Sequence, residues 1–389
     1  MAVSEKSAEV RLNEPARAAR MGLEARLVLE DGAEFLGESF GAPSSTSGEV
    51  VFTTGMVGYP ETLTDPSYFG QIIVCTYPLI GNYGAPGVEV GADGMDTRLE
   101  SWKIHARGLV VSDYSRSYSH WEAKRSLGEW LNEEGITGIT GIDTRRLAIL
   151  LREKGSMLGK IMVGADRAHE VAQYDPNCEN LGPRVSVRAP VLYGRGAIRG
   201  RVAVVDCGAK HNIVRSLVAR GFEVLRTPWD FDLSSEHFDG VMLSNGPGDP
   251  TFYHETIAQI RGLIERGMPT MGVCLGNQLL ALAIGAKTFK LRYGHRGQNQ
   301  PVVEVGTNRC SMTSQNHGFA VDARTLPAGW SAWFENLNDG TNEGIRHESG
   351  RFRSVQFHPE AAPGPVDTAY LFDEFAHMIE GGAAGGRTP

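Results

Sequence analysis

Cys274 lies in Gly272-Val273-Cys274-Leu275-Gly276, a G-x-C-x-G string that follows a short apolar run and precedes a helical one. A thiol there suits nucleophilic attack on a carbonyl carbon. The turn from strand to helix is sharp, so the flanking glycines keep Cβ atoms out of the neighbouring strand and helix. The bend lifts the sulfur to a helix N-terminus, where the partial positive charge and free N–H groups favour thiolate, and the N–H of Leu275 faces a developing oxyanion. A second string, Phe352-Arg353-Ser354-Val355-Gln356-Phe357-His358-Pro359-Glu360, ends a strand at His358, because the following proline disfavours helix. In extended chain, residues two apart project to the same side, so His358 and Glu360 can face one site. An imidazole beside a thiolate is its general base and later the acid for the leaving group, and a carboxylate behind it fixes the tautomer. A third string, Ser244-Asn245-Gly246-Pro247-Gly248-Asp249-Pro250, closes an apolar run with glycines that let backbone N–H groups approach an anion. The bland alternatives are a buried cysteine at a glycine-flanked strand end, a structural histidine and an ordinary turn.

These groups need a frame that brings distant segments together. The chain has 389 residues, a length that suits two or three domains, with 41% hydrophobic and 22% charged residues and a net charge of −8. That composition excludes a disordered chain and argues against nucleic acid as the main partner. The apolar run Leu279 to Ile284 is far too short to span a membrane. The segment before Met21 is polar, with no apolar stretch of a secretory signal. Five widely spaced cysteines, an odd number with no C-x-x-C pair, fit a reducing cytoplasmic setting, and no metal site is expected.

The rhythm of the chain divides it. Residues 1–22 read as a loose tail. Residues 23–165 read as a β-rich α/β domain, with strands near Ala25–Leu29, Gly48–Thr54, Gln71–Thr76 and Arg107–Val111. A helix there starts at Asp143 or Thr144 and is closed by Gly155. Residues 166–199, broken by Pro176, Pro183 and Pro190, read as a linker. Residues 200–380 alternate short apolar strands with helices, which implies a doubly wound α/β domain with a mostly parallel sheet covered on both faces. Residues 381–389 read as a flexible tail. Gly155-x-x-x-Gly159-Lys160-Ile161 is one residue short of a phosphate loop, and the glycines from Gly194 precede a strand rather than follow one, so neither is expected to bind a nucleotide.

Taken together, Cys274, the His358-x-Glu360 pair and the Asn245–Gly248 loop resemble the class I (triad) glutamine amidotransferase family. The strings Gly48–Tyr59, Leu63–Tyr68, Thr76–Gly84, Gly141–Arg145 and Gly208–Asn212 narrow the resemblance to the carbamoyl-phosphate synthase small subunit. The resemblance implies a catalytic triad of Cys274, His358 and Glu360. It also implies glutamine held by Ser45, Gly246, Gly248, Leu275, Gln278, Asn316, Gly318 and Phe319. Ser45 belongs to the first domain, which would put the pocket at a domain interface. The activity implied is hydrolysis of L-glutamine through a γ-glutamyl thioester. Ammonia would pass to a large subunit that makes carbamoyl phosphate for arginine and pyrimidine biosynthesis from bicarbonate and ATP. No cofactor is expected on this chain; ATP and Mg belong to the partner. Alternatives are an amidotransferase subunit of another synthase, a free-standing γ-glutamyl hydrolase and a non-catalytic scaffold. The sequence departs from the family at Asn277, where histidine is usual, and His211, His295 and His317 read as structural or loop histidines.

Overall fold

The computed structural model describes residues 23–164 and 171–384, with the side chains of 382–384 left out. The tail read at 1–22 therefore lies outside the described residues, as do 165–170 of the linker region and 385–389 at the other end.

In the first domain, apolar residues alternate along Glu24–Leu29, so Ala25, Leu27 and Leu29 turn to one buried face. Seven such strands close on themselves as a barrel. Around it run Glu24–Leu29, Met157–Val163, Thr46–Thr53, Gln71–Cys75, Gly108–Val110, Thr137–Thr140 and Glu34–Gly41. Gln71–Cys75 is buried along its whole length, because both of its faces are covered. Ile72 and Val74 join the cluster with Leu27, Val50, Val110 and Ile161. Ile73 and Cys75 point the other way, toward Leu109 and Trp130. The helix Thr144–Lys154 begins where Asp143 accepts a hydrogen bond from the Arg146 N–H at 2.9 Å and ends at Gly155, whose φ of 109° disfavours a side chain.

The second domain is built on a ten-stranded sheet. Its five central strands are parallel, in the order Glu223–Pro228, Arg201–Asp206, Gly240–Leu243, Thr270–Val273 and Phe352–Val355. Alternate residues of these strands feed two separate cores. Val202, Val204 and Val224 pack on one side, Ala203, Val205 and Leu225 on the other. Helices cover both faces, as continuous apolar strands require.

Beyond Phe352–Val355 the sheet continues through antiparallel strands Asn342–His347, Trp330–Asn336, Lys287–Glu304 and Cys310–Asp322. The last two form a long hairpin with register shifts.

Two boundaries differ from the sequence reading. Within the 166–199 segment, Val191–Tyr193 is the outermost strand of the large sheet, paired with Val224–Arg226. Pro190 before it and Gly194 after it make it too short to register as a strand in the pattern. The helix Leu371–Ala384 also runs into the stretch read as a tail from residue 381, because Leu371, Phe372, Phe375 and Ile379 anchor it against the sheet.

Candidate active site

Cys274 stands between the strand Thr270–Val273 and the helix Leu275–Ala283, with φ 54° and ψ −104°. A residue other than glycine rarely adopts a positive φ, and holding one there costs of order 1–3 kcal/mol. The surroundings impose it. A Cβ on Gly272 would meet the Gly276 carbonyl carbon and oxygen at 2.6 Å, and one on Gly276 would meet the Leu243 oxygen at 2.4 Å. Strand and helix thus touch backbone to backbone, and the residue between them takes the bend. The Cys274 N–H is tied to the Val355 oxygen at 2.8 Å, which fixes the elbow to the strand leading to His358.

His358 follows that strand, and its N–H donates to the Ser314 oxygen at 2.9 Å. Its ring Nδ1 lies 2.6 Å from Glu360 Oε1. The other ring nitrogen, Nε2, is buried, and Cys274 is among the groups that act on this ring. The thiol donates to the Asn316 oxygen at 3.6 Å. Burial alone would push the His358 pKa down, but the charges of Glu360 and Cys274 overcome it and raise it to about 10. Burial would likewise raise Glu360, yet Lys210 and then His358 hold it at about 2. Lys210 Nζ sits 3.1 Å from Glu360 Oε1 and also donates to the Ala361 oxygen, and both charged side chains are almost fully buried.

The thiol opens on a cavity lined by Gly246, Gly248, Gln278, Asn316, Gly318 and Phe319. Of the eight residues the resemblance assigned to glutamine, these six share one space with Cys274. Leu275 opens the helix after the thiol, with its side chain in the hydrophobic core. Ser45 lies elsewhere. Its Oγ accepts the Val163 N–H at 3.0 Å inside the first domain, and the cavity beside it is lined by Lys103, His105 and Arg107 instead.

The serine that reaches the thiol's cavity is Ser67, in the turn Pro66–Tyr68. The register slipped because two serine-bearing turns of the same domain both suit a pocket wall. Ser67 Oγ accepts from Asn245 Nδ2 at 2.9 Å, and its neighbour Asp65 accepts from Asn316 Nδ2 at 3.0 Å. The Leu63–Tyr68 string carried the signal that could have found it.

Sequence reasoning also missed the charged wall of this cavity, made by Glu49 and Gln71 of the barrel and by Lys290 and Arg296 of the long hairpin. Lys290 Nζ lies 2.8 Å from Glu49 Oε1. Arg296 is buried, and burial lowers its pKa against the opposing pull of Glu49.

A second cavity, lined by His358, Asn316, Lys210, Gln298 and Pro363, lies on the other side of Asn316. His317, read as a structural or loop histidine, lines the thiol's cavity, and burial pushes its pKa well down, so it is neutral. With His295 and Glu343 it places three potential ligand atoms within 4.8 Å of one another, the one cluster among the described residues that could hold a metal.

Asn277, the departure from the family pattern, faces away from the thiol. Its Oδ1 accepts from Ser354 Oγ at 2.8 Å and its Nδ2 donates to Gln356 Oε1 at 3.2 Å. His211 is buried against Trp102, with ring centroids 5.2 Å apart, and burial takes its pKa to about 3.

Comparison with known proteins accords with this geometry. The family model described as glutamine amidotransferase class-I matches residues 203–378, and that of the carbamoyl-phosphate synthase small chain, CPSase domain, matches residues 27–161. The chain is 51% identical over 360 residues to a carbamoyl phosphate synthase arginine-specific small chain of Aspergillus oryzae, covering 91% of this chain and 80% of that one. It is 49% identical over 378 residues to the protein of the same description from Neurospora crassa, covering 95% and 83%. It is 51% identical over 353 residues to the multifunctional protein CAD of Squalus acanthias, covering 90% of this chain and 16% of that protein.

Two outcomes are expected of the site's chemistry. His358 contributes stability that is complete below its ordinary pKa of 6.5 and is lost as pH rises through about 10. Glu360 contributes stability that is complete above its ordinary 4.5 and is lost as pH falls through about 2. Breaking the pair with Glu360→Gln should therefore cost about 3–5 kcal/mol near pH 5–6, with the gap to wild type closing toward both extremes in melts across pH. Asn277→Leu takes the acceptor from buried Ser354 Oγ, while Gln356 Oε1 keeps Gln278 Nε2, and should cost about 1–3 kcal/mol in urea unfolding. The alkylation rate of Cys274 should be unchanged, whereas a drop in that rate would place Asn277 in the site.

Proposed function

Because the chain belongs to the carbamoyl phosphate synthase small-chain family, we propose that Cys274, His358 and Glu360 are the triad with which it hydrolyses glutamine. The chain is the glutamine-hydrolysing subunit of a carbamoyl phosphate synthase. The observation that carries the triad is His358 clamped by Glu360 at 2.6 Å, with Cys274, on its strained elbow, among the groups that set the charge of the imidazole.

In this reading Cys274 attacks the side-chain amide carbon of glutamine. The N–H groups of Leu275 and of Gly246 or Gly248 stabilise the oxyanion. The loop is close enough for this, since a Cβ on Gly246 would meet the Leu275 side chain at 2.8 Å. His358 protonates the departing ammonia, and water activated by the same imidazole then cleaves the γ-glutamyl thioester. Gln278 forms one wall of the pocket, with its Nε2 donating to the Phe319 oxygen at 2.9 Å. Asn316, Gly318, Phe319, Gly248 and, from the barrel, Ser67 complete the glutamine site.

Ammonia released into bulk water at neutral pH would be captured as ammonium, so the product must leave through a sheltered path. We assign the acceptor chemistry to a large partner subunit that uses bicarbonate, ATP and Mg, serving arginine and pyrimidine synthesis. The matched first domain favours this assembly over service to another synthase or a free-standing γ-glutamyl hydrolase. The described cysteines are all unpaired thiols, and no described helix is long and apolar enough to cross a membrane. These features support a cytoplasmic setting.

Glutaminase turnover with and without the co-purifying partner tests the reading. Cys274→Ala should lose at least roughly 10³-fold in kcat, and wild type should form a covalent adduct with a glutamine-like electrophile. No adduct, or purification from native cells without a large ATP-dependent partner, would overturn it. Ser67→Ala should raise KM for glutamine roughly three- to tenfold, whereas Ser45→Ala should leave it unchanged.

A further inference from the structure

Glu360 is gripped by two residues at the start of the helix His211–Val218, Lys210 on its carboxylate and Asn212 on its backbone, and this start is itself held by the other domain. Lys210 Nζ lies 3.1 Å from Glu360 Oε1, and Asn212 Nδ2 donates to the Glu360 backbone oxygen. The outer side chains of Lys210-His211-Asn212 thus close on Glu360 from two directions. The backbone of the same tripeptide belongs to Glu100, a first-domain residue with no exposed surface. The His211 N–H donates to the Glu100 oxygen at 2.9 Å, and the Asn212 N–H donates to Glu100 Oε2 at 3.1 Å. Glu100 Oε1 takes Arg215 Nη2, one turn further along the helix, at 2.6 Å.

Glu100 is rigid at its own end. Its N–H donates to Thr64 Oγ1 at 3.1 Å, and Ser101 Oγ donates to the Thr64 oxygen at 2.6 Å. Asp96 Oδ1 accepts the N–H groups of Arg98 and Leu99, both at 2.8 Å, which shapes the loop that presents Glu100. Arg215 Nη1 returns to that loop, donating to the Asp96 oxygen at 2.5 Å and the Leu99 oxygen at 3.2 Å. A buried carboxylate between a lysine and an arginine is costly to build unless its partners are held in register.

We propose that Glu100 is a positioning residue for the glutaminase triad, by which the first domain fixes the Lys210–Asn212 clamp on Glu360 and so sets the aim of His358. This rests on the triad reading above. Glu100 touches neither substrate nor thiol, so its loss acts on the chemical step and spares glutamine binding. It also makes the amidotransferase half dependent on the barrel, since the loop 96–102 is tied to the start of this helix through both the backbone and the side chain of Glu100.

The test uses the full chain with its partner and a glutamine-like electrophile that counts competent sites. In Glu100→Gln the titrated fraction should stay near that of wild type, while kcat per titrated site falls roughly 10- to 100-fold and KM changes less than threefold. Glu100→Asp, which keeps the charge, should recover part of the loss, and it carries the test if Glu100→Gln does not fold. Combined with Lys210→Met, Glu100→Gln should add little, because both act through Glu360. Unchanged kcat per titrated site, a rise in KM alone, or fully additive losses would overturn the proposal. Failure of wild type to label would instead sink the triad reading.

Discussion

The site depends on a backbone that is held where it would not rest by itself. Cys274 adopts φ 54° because the strand before it and the helix after it approach to the distance that only Gly272 and Gly276 permit. Relaxing the turn would require the helix to draw back from Leu243, and with it the two cores that clamp the central sheet. The strain is therefore balanced by packing spread over the whole second domain. Its return is a sulfur held at a helix start, buried beside the core and yet lining the cavity.

Around that fixed point the charged groups form an ordered chain rather than isolated pairs. His358 is held cationic by Glu360, Glu360 is held anionic by Lys210, and Lys210 is held in place by residues of both domains. Each charge is almost fully withdrawn from water, so each is tolerable only because the next is present. Asn245 knits the same seam from the opposite side. Its Oδ1 accepts the Lys210 N–H at 3.0 Å while its Nδ2 reaches Ser67 in the first domain. The proposed triad lies wholly in the second domain, while the first supplies Ser67, Glu49 and Gln71 to the cavity beside it.

Much of this was legible in the residues. The glycine-flanked cysteine and the alternation of apolar runs with helices rest on local geometry and stand where expected, whereas His358 and Glu360 meet in a turn, after a strand that ends at Val355 instead of at His358. Local rules stop at the long hairpin. Lys287–Glu304 carries lysines, arginines, glycines and glutamines, its sides change between exposed and buried, and its register shifts twice, so no clean period marks it as strand. With the hairpin went Lys290 and Arg296, and with them the charged wall of the cavity. The place of Ser67 is hidden for a related reason. A serine in a polar turn signals little until the fold shows which turn faces the other domain. Glu100 looked like one acidic residue among many, since nothing nearby in sequence announces a contact with residues 210–215.

The first domain has a feature whose effect reaches outside the molecule. Its seven main strands form a ring, so each hydrogen-bonding margin is already paired with a neighbour. The ring offers no open border along which another chain could lay a further strand. Among the described residues of this domain such borders remain on two small sheets, Leu79–Ile80 with Asp113–Tyr114 and Ala85–Pro86 with Ala123–Arg125. A companion of the barrel itself must therefore read its outward side chains and connecting loops, which can change without reshaping the ring.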